Sequence, residues 1–323
     1  MFNTQLIREL HSKISTTSLS DELLNSAYNQ NEWFDKDNIA SSLSALCDSL
    51  LQPKQVESFT EQYDYRDCSE KSVIIIMAGN IPFVGAADLI YALLCNYKKV
   101  YIKLSSKDKV TMEWFVECVK SCSSYHEGQI EPYTSQKADK VIATGSDNSG
   151  RYFKNNFSDT SSLIRANRSS VAIIKEGDSD EAISRLWSDV FLRYGLGCRN
   201  ITQLLIDKNC DINHIANLWR ELKIENTHYH NAYRQHRAVL TMSNRPFTDL
   251  GYALLVENQS LHAPLSQVNY TFYATKDEAE NYINTHSGQL QCTLSDSKDF
   301  GKAQFPKLED FADGVDVIEF LLH

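Results

Sequence analysis

The chain has 323 residues, a formal net charge of −10, and 42% hydrophobic with 23% charged residues, which is the balance of a globular protein. The negative charge argues against a general nucleic-acid binder, because such a protein needs a basic face. The length exceeds the size at which one core usually stops growing, so we expect two lobes.

The sequence predicts neither export nor a membrane anchor. No apolar run approaches the roughly 20 residues of a membrane helix, and the first residues lack the apolar core of a signal peptide. Eight cysteines are present, but no paired CxxC pattern occurs. A reducing, cytoplasmic setting with thiols is therefore the simpler interpretation. Four cysteines lie in apolar patterns and are predicted core residues: Cys95, Cys118, Cys122 and Cys292.

Residues 1–70 show the apolar spacing of helices. Leu6, Ile7 and Leu10 share one helical face, and Ser20 or Asp21 is suited to cap a helix that begins near residue 22. No pattern with chemistry occurs here, so we predict a helical N-terminal segment.

From residue 72 the sequence alternates between strands and helices. The continuous apolar run at 73–77 is typical of a strand covered on both faces, and two further strands are predicted at 99–104 and 140–143. Helical patterns lie at 86–94, 107–123 and 147–156. This alternation predicts a parallel, doubly wound sheet, in which ligands bind at the carboxyl ends of the strands. Asn80, Lys103, Gly145 and Ser146 fall at those ends.

Residue 169 opens a second α/β segment. Strand-like runs lie at 169–174, 202–206, 268–273 and 289–294, and helical patterns lie near 178–191, at 211–222 and from 277 onward. Asp178 is the predicted cap of the first of these helices, while residues 228–243 are ambiguous. The tail at 305–323 mixes apolar and acidic residues and is expected to pack on a neighbouring lobe or subunit.

A cysteine flanked by glycines is the first candidate for chemistry. Residues 194–200 (YGLGCRN) place Cys198 on a predicted turn beside Arg199. The thiolate form of cysteine is the nucleophile, and a nearby cation with exposed backbone N–H groups favours that form. The alternative interpretation is a small buried hydrophobe, which is the commonest role of a cysteine thiol.

Four stretches in this order resemble the aldehyde dehydrogenase superfamily, and most of all its LuxC-like acyl-CoA reductase (fatty acid reductase) branch. They are 77–85 (MAGNIPFVG), 103–108 (KLSSKD), 143–151 (ATGSDNSGR) and 195–200 (GLGCRN). The resemblance covers about residues 72–295. It implies an aldehyde dehydrogenase-like α/β fold with a doubly wound, parallel-sheet nucleotide-binding lobe. That lobe would span 71–168, an α/β catalytic lobe 169–300, and a C-terminal tail 301–323.

The resemblance also implies a role for each matched residue. Cys198 would be the nucleophile, and Asn80 would supply the side-chain half of an oxyanion hole whose other half is the Cys198 N–H. Lys103 would bind the adenosine ribose or its 2′-phosphate, and the helix start at 145–146 would face the pyrophosphate. The implied cofactor-binding set, including the turn proline, is Pro82, Lys103, Ser105, Ser106, Gly145 and Ser146.

Three departures from the superfamily pattern affect the implied reaction. Residues 165–169 (RANRS) stand where a Glu-Leu-Gly-Gly-Lys stretch carries the base for hydrolysis, and arginine cannot act as a base at neutral pH. Thioester reduction is thereby favoured over aldehyde oxidation to an acid. Ser106 stands where NAD-preferring enzymes often carry a glutamate, so NADPH becomes plausible. The acidic residue that usually holds the other ribose is not visible around 264–267 (PLSQ).

The implied activity is NADPH-dependent reduction of an acyl-CoA, above all a fatty acyl thioester, to the aldehyde through an acyl-cysteine intermediate, with NADH as the alternative cofactor. A homo-oligomer and an acyl-transferring or acyl-activating protein partner are expected as well. Two alternatives stay open: a reductase of another activated acyl donor (acyl phosphate or acyl-carrier thioester), and a shortened non-catalytic scaffold that binds nucleotide or a partner.

Several candidate residues have ordinary structural alternatives. Asn80 could cap the following helix, Lys103 could be a solvated strand-end lysine, and residues 145–146 could be a common helix start. The histidine cluster lacks the carboxylate or cysteine pattern of a metal site, so we predict no metal and interpret these side chains as solvated or hydrogen-bonded. The cluster comprises His228, His230 and His236.

Overall fold

The computed structural model describes residues 1–323 and divides the chain into two compact units. Unit 1 comprises Met1–Asn167 and Phe305–His323, and unit 2 comprises Arg168–Gln304. The chain therefore leaves unit 1, builds unit 2, and returns to unit 1 with its last residues.

Unit 1 begins with four helices, as the apolar spacing predicts. They are α1 (Thr4–Thr16), α2 (Asp21–Gln30), α3 (Lys36–Ala45) and α4 (Pro53–Thr60), with a π-helical turn at Leu46–Leu50. Ser20 caps α2 by accepting a hydrogen bond from the Leu23 N–H, and Asp35 caps α3 in the same way through Asn38. Leu6, Ile7 and Leu10 are fully buried.

A five-stranded parallel sheet follows in unit 1, with the strand order β3-β2-β1-β4-β5. The strands are β1 (Ser72–Ile76), β2 (Lys99–Lys103), β3 (Ile130–Pro132), β4 (Lys140–Thr144) and β5 (Ser161–Arg165). The connecting helices are α5 (Ala86–Leu94), α6 (Lys109–Lys120) and α7 (Asp147–Asn156). β1 lies between β2 and β4, so the strand order reverses at the β1/β4 pair, where open sheets of this kind bind ligands.

Unit 2 contains a six-stranded mixed sheet with the order β11-β6-β7-β10-β9-β8. Its strands are β6 (Ser169–Ile174), β7 (Ile201–Asp207), β8 (Thr248–Asp249), β9 (Leu254–Glu257), β10 (Gln267–Tyr273) and β11 (Leu290–Leu294). Its helices are α8 (Asp180–Phe191), α9 (Ile212–Arg220), α10 (Thr227–Met242) and α11 (Lys276–His286). All pairs are parallel except β8 with β9. The predicted α/β fold class is confirmed.

The tail of the chain completes the core of unit 1. Helix α12 (Val317–Leu322) buries four apolar side chains: Val317, Ile318, Leu321 and Leu322. The Tyr97 hydroxyl donates to the Leu321 carbonyl at 2.6 Å, and the Tyr91 hydroxyl donates to the Leu308 carbonyl at 2.9 Å. Because these contacts are long-range in sequence, apolar spacing alone did not locate the tail.

The structure corrects one local expectation in unit 2 and resolves one ambiguous stretch. The cap of α8 is Ser179, which accepts from the Ala182 N–H, whereas the Asp178 carboxylate accepts from the Lys175 N–H and closes the preceding turn. The ambiguous stretch near residues 228–243 is helix α10. No helix of the structure combines the length and the apolar character needed to cross a bilayer.

Candidate functional site

The predicted cofactor residues of unit 1 lie at the end of β2 (Lys103) and on the loops that follow β1, β2 and β4. The Met77 N–H donates to the Lys103 carbonyl at 3.0 Å, which ties the loop after β1 to the end of β2. Lys103 and Ser106 are exposed, and Ser105 is half-buried. The strand order thus brings these side chains to one edge of the sheet, as predicted.

The loop at 77–85 packs tightly on the loop after β2. A Cβ at Gly79 would lie 2.4 Å from Ser105 Oγ, so only glycine allows this approach. Pro82 is buried, while Asn80 is exposed. Phe83 holds a left-handed backbone conformation (φ 59°), and its ring packs 6.0 Å from that of Trp114 on α6. The loop that carries Asn80 is therefore held in place by its contacts with the loop after β2 and with α6.

Asp108 is the buried acid below this loop. Its carboxylate accepts hydrogen bonds from the Thr111 hydroxyl and the Phe83 N–H. Burial raises the pKa of Asp108 to about 7, although both hydrogen bonds act in the opposite direction. The second carboxylate oxygen, Oδ2, is buried without a hydrogen-bond partner. The sequence placed Asp108 inside a matched stretch but gave it no role.

The turn between β4 and α7 has features of both an anion site and an ordinary helix start. Ser146 caps α7, its hydroxyl accepting from the Ser149 N–H at 3.3 Å. A Cβ at Gly145 would lie 2.8 Å from Ser149 Cβ, so the turn needs glycine for packing as well. The Thr144 hydroxyl oxygen is buried with no hydrogen-bond partner. An unsatisfied buried hydroxyl beside a helix N-terminus suits an incoming polar ligand.

Arg165, which the resemblance aligns with the glutamate of the superfamily pattern, is engaged in a buried ion pair. Its Nη1 contacts both carboxylate oxygens of Asp88 on α5, at 2.9 and 2.8 Å. The two side chains are only 5% and 10% exposed. Arg165 therefore has a structural role at the end of β5, and it supplies no base there.

The predicted nucleophile lies in unit 2, on a tight turn just before β7. Cys198 is exposed, which argues against its interpretation as a buried hydrophobe. The Asn200 N–H donates to the Gly197 carbonyl at 3.1 Å, so Cys198 occupies the second position of a four-residue turn. Asn200 Oδ1 accepts from the Gly197 N–H at 2.8 Å and closes the turn from the other side.

Asn200 also joins the turn to the end of α8. Its amide nitrogen donates to the carbonyls of Asp189, Val190 and Leu192 at 3.2, 3.1 and 2.9 Å. These are carbonyls that a helix end leaves without intrahelical partners. Asn200 was overlooked as a functional residue, although asparagine in a glycine-rich turn is a known signal of side-chain bonding to the local backbone.

A buried carboxylate supports α8 next to this turn. Asp189 is fully buried and accepts from the N–H groups of Gly301 (2.5 Å) and Ala303 (2.8 Å). Burial raises its pKa to about 6. Arg193 follows in a left-handed conformation (φ 57°), and burial lowers its pKa to about 10. The segment that leads to Cys198 is therefore fixed by buried polar contacts.

The histidines of α10 do not form a metal-binding cluster. His236 Nδ1 lies 2.8 Å from the Leu265 carbonyl oxygen, and His228 and His230 lie in the first turn of α10. No group of three or more His, Cys, Asp or Glu side chains in the structure is arranged to hold a metal ion. The eight cysteines are present as thiols.

Solved structures identify the fold, whereas sequence comparison does not. A scan against protein-family models finds no match, and neither does a search of curated proteins. An aldehyde dehydrogenase from Mycobacterium tuberculosis complexed with NAD+ is 14% identical, with a TM-score of 0.69 over 91% of this chain and 77% of that one. A salicylaldehyde dehydrogenase from Pseudomonas putida G7, complexed with salicylaldehyde, is 12% identical, with a TM-score of 0.68 over 90% and 76%.

A third similar structure covers almost the whole chain. The aldehyde dehydrogenase from Physcomitrella patens in complex with the reaction product succinate is 10% identical, with a TM-score of 0.67 over 99% of this chain and 84% of that one. At such identities the likeness shows the architecture and leaves the activity to be argued from the residues. The chain has the aldehyde dehydrogenase fold.

Proposed function

We propose that this protein is an oxidoreductase that uses a nicotinamide nucleotide and forms a covalent intermediate on Cys198. The observation that carries the proposal is the exposure of Cys198 on a turn that is hydrogen-bonded on both sides of the residue. A nucleophile held in one geometry avoids the entropic cost of orienting it in the transition state.

Within that class we propose reduction of an acyl-CoA thioester, above all a fatty acyl one. The Cys198 thiolate would attack the thioester carbonyl, forming a carbon–sulfur bond as coenzyme A leaves as a thiolate. Splitting the exchange into two steps in this way lowers each barrier. Asn80 is proposed as the side-chain donor to the oxyanion, together with the Cys198 N–H.

The cofactor, when bound, supplies the hydride that converts the acyl-cysteine to a thiohemiacetal. Cys198 then leaves as a thiolate and the aldehyde is released. Arg165 cannot act as a base at neutral pH, and the Asp88 carboxylate beside it is engaged in a buried ion pair. This arrangement supports reduction over hydrolysis, because neither side chain is available to activate water.

Unit 1 contains residues that fit a nicotinamide nucleotide. The unsatisfied Thr144 hydroxyl and the N-terminus of α7 would face a phosphate, with Gly145 and Ser146 between them. Lys103 is exposed at the end of β2, where it would meet a ribose or its phosphate together with Ser105 and Ser106. A carboxylate at position 106 would repel the 2′-phosphate of NADPH, and this chain has a serine there. NADPH is therefore the proposed cofactor, and NADH is the alternative.

The test follows NADPH absorbance with acyl-CoA thioesters of several chain lengths. We expect turnover by the wild type and by Cys210→Ala, a control at a half-buried cysteine of unit 2, and none by Cys198→Ala. Without NADPH, mass spectrometry should find the acyl group on Cys198. An acyl adduct on the Cys198→Ala protein, or turnover by it, would contradict the proposal.

Other outcomes of this assay distinguish the acyl-CoA reductase from the alternative functions. Turnover only with an acyl phosphate or an acyl-carrier thioester would change the acyl donor and retain Cys198. Absence of NADPH binding together with an inert Cys198 would favour a scaffold. The expected homo-oligomer and acyl-delivering partner are tested by light scattering of the protein alone and with candidate acyl-transfer proteins.

A further inference from the structure

The backbone carbonyl of Cys198 is held by a buried serine on the neighbouring strand. Ser170, the second residue of β6, is 0% exposed, and its hydroxyl donates to the Cys198 carbonyl oxygen at 3.0 Å. This bond fixes the peptide group that follows Cys198, on the opposite side of the residue from the bond between Gly197 and Asn200.

A second cysteine determines the direction in which the Ser170 hydroxyl donates. Ser170 Oγ accepts from the backbone N–H of Cys292 at 3.2 Å and from its thiol at 3.1 Å. A serine hydroxyl has one proton and two acceptor lone pairs. Two donors from Cys292 occupy both lone pairs, so the single proton points to Cys198.

The strand register places the Ser170 side chain next to the Cys198 carbonyl. The pairing of β6 with β7 shifts between Ser170 and Val171, and the pairing of β11 with β6 shifts between Leu290 and Cys292. Irregularities of this kind re-aim a side chain and occur next to active sites. Ser170 therefore lies at two coincident register shifts, both within unit 2.

We propose that Ser170 is a positioning residue for Cys198, with Cys292 orienting its hydroxyl. Asn200 holds the turn before the nucleophile and Ser170 holds it after. The catalytic part of this inference rests on the function proposed above. The structural part, that Ser170 restrains the turn, does not depend on it.

The structural part is tested by hydrogen exchange of the peptide that spans residues 195–200. Ser170→Ala removes the donor, and we expect roughly ten-fold faster exchange of this peptide, the effect of one lost hydrogen bond. The matched control is Thr202→Val on β7, which removes a hydroxyl bonded to the Leu261 carbonyl at 2.7 Å and leaves the turn untouched. That control should exchange as the wild type does.

Cys292 provides a second pair of variants that keep Ser170 itself. Cys292→Ser retains a side-chain donor and should leave exchange of the turn unchanged, whereas Cys292→Ala should accelerate it. If Ser170→Ala misfolds, as judged by circular dichroism, the two Cys292 variants still test whether the Ser170 hydroxyl restrains the turn. Unchanged exchange of the turn in both alanine variants would overturn the inference.

Kinetics test the catalytic part. In Ser170→Ala we expect kcat to fall roughly 10- to 100-fold, because a small misplacement of the reacting group is enough. KM for NADPH should stay unchanged, and alkylation of the exposed thiol by iodoacetamide should stay within about two-fold, since a small reagent needs no fixed geometry. An unchanged kcat beside faster exchange would contradict the positioning role, while a wild type without turnover would refute the proposed function alone.

Discussion

Cys198 differs from the other cysteines of the chain in its contact with solvent. Five are buried and two are half-buried, and burial raises the pKa of Cys47 to about 11. Since the thiolate is the reactive form, we expect iodoacetamide to label Cys198 at least about ten times faster than any other site under native conditions. Peptide mass spectrometry measures the labelling rate of each cysteine, and faster labelling of Cys210 or Cys292 than of Cys198 would contradict the prediction.

Asp108 makes the stability of unit 1 depend on pH. Its pKa of about 7 lies above the ordinary 3.8, so the folded protein keeps a proton that the unfolded chain releases. The free energy of unfolding therefore falls as pH rises from about 4 to about 7. Asp108→Asn removes this contribution, so from pH 5 to pH 8 the free energy of unfolding of the wild type should fall by about 2–3 kcal/mol more than that of the variant.

Urea unfolding at the two pH values tests the Asp108 prediction. The control is Glu113→Gln, an exposed carboxylate on α6. The control should retain the wild-type dependence on pH. Equal slopes for the wild type and Asp108→Asn would show that Asp108 does not hold its proton in the folded state.

The positions of single residues could be predicted from the sequence where they follow an apolar run that marks a strand. Asn80, Lys103, Gly145 and Ser146 were placed at strand ends by the apolar runs before them, and the structure has them there. Their binding roles remain predictions. Ser170, Asp108 and Asn200 were not recognised, because their roles come from hydrogen bonds that only the folded chain creates.

At the scale of elements, the Arg165–Asp88 pair joins the end of β5 to α5. Both side chains are buried, so removing one leaves an uncompensated charge in the interior. Arg165→Met or Asp88→Leu alone should lower the free energy of unfolding by about 3–5 kcal/mol. The double variant should lose less than either single variant, since it buries no lone charge.

Chemical unfolding of the three variants measures this coupling. Lys276→Ala serves as the control, because its ion pair with Glu280 on α11 is exposed to solvent. Its unfolding midpoint should match the wild type. Additive losses in the double variant would show that the two side chains do not stabilise each other.

Strands and helices with a longer apolar pattern were predicted more accurately than those with a short or weak one. β1, β2 and β4 are five-residue strands with at least three apolar side chains each, and they were recognised with near-correct ends. β3 and β8 have only three and two residues, too few to establish a period. Helix α10 was ambiguous because only Tyr229 and Leu240 of its 16 residues are buried, which leaves little amphipathic signal.

At the scale of the whole molecule, the tail contributes to the core of unit 1. Leu321 is 0% exposed, and its carbonyl accepts from the Tyr97 hydroxyl. Leu321→Ala should cost about 2–5 kcal/mol by leaving a cavity. Hydrogen exchange should show lost protection in peptides of unit 1 and retained protection in unit 2, whereas Val315→Ala, at a 40% exposed side chain, should change neither. Uniform loss across both units would contradict this.

The return of the chain to unit 1 has a consequence for synthesis on the ribosome. Residues 168–304 contain every strand of the second sheet, whereas the core of unit 1 includes α12, which is synthesised after them. Although chains often fold from the N-terminus, here unit 2 can acquire its full set of contacts while the earlier-made unit 1 still lacks α12. Protease digestion of nascent chains stalled at increasing lengths should show unit 2 becoming resistant first. The reverse order would mean that unit 1 folds without α12.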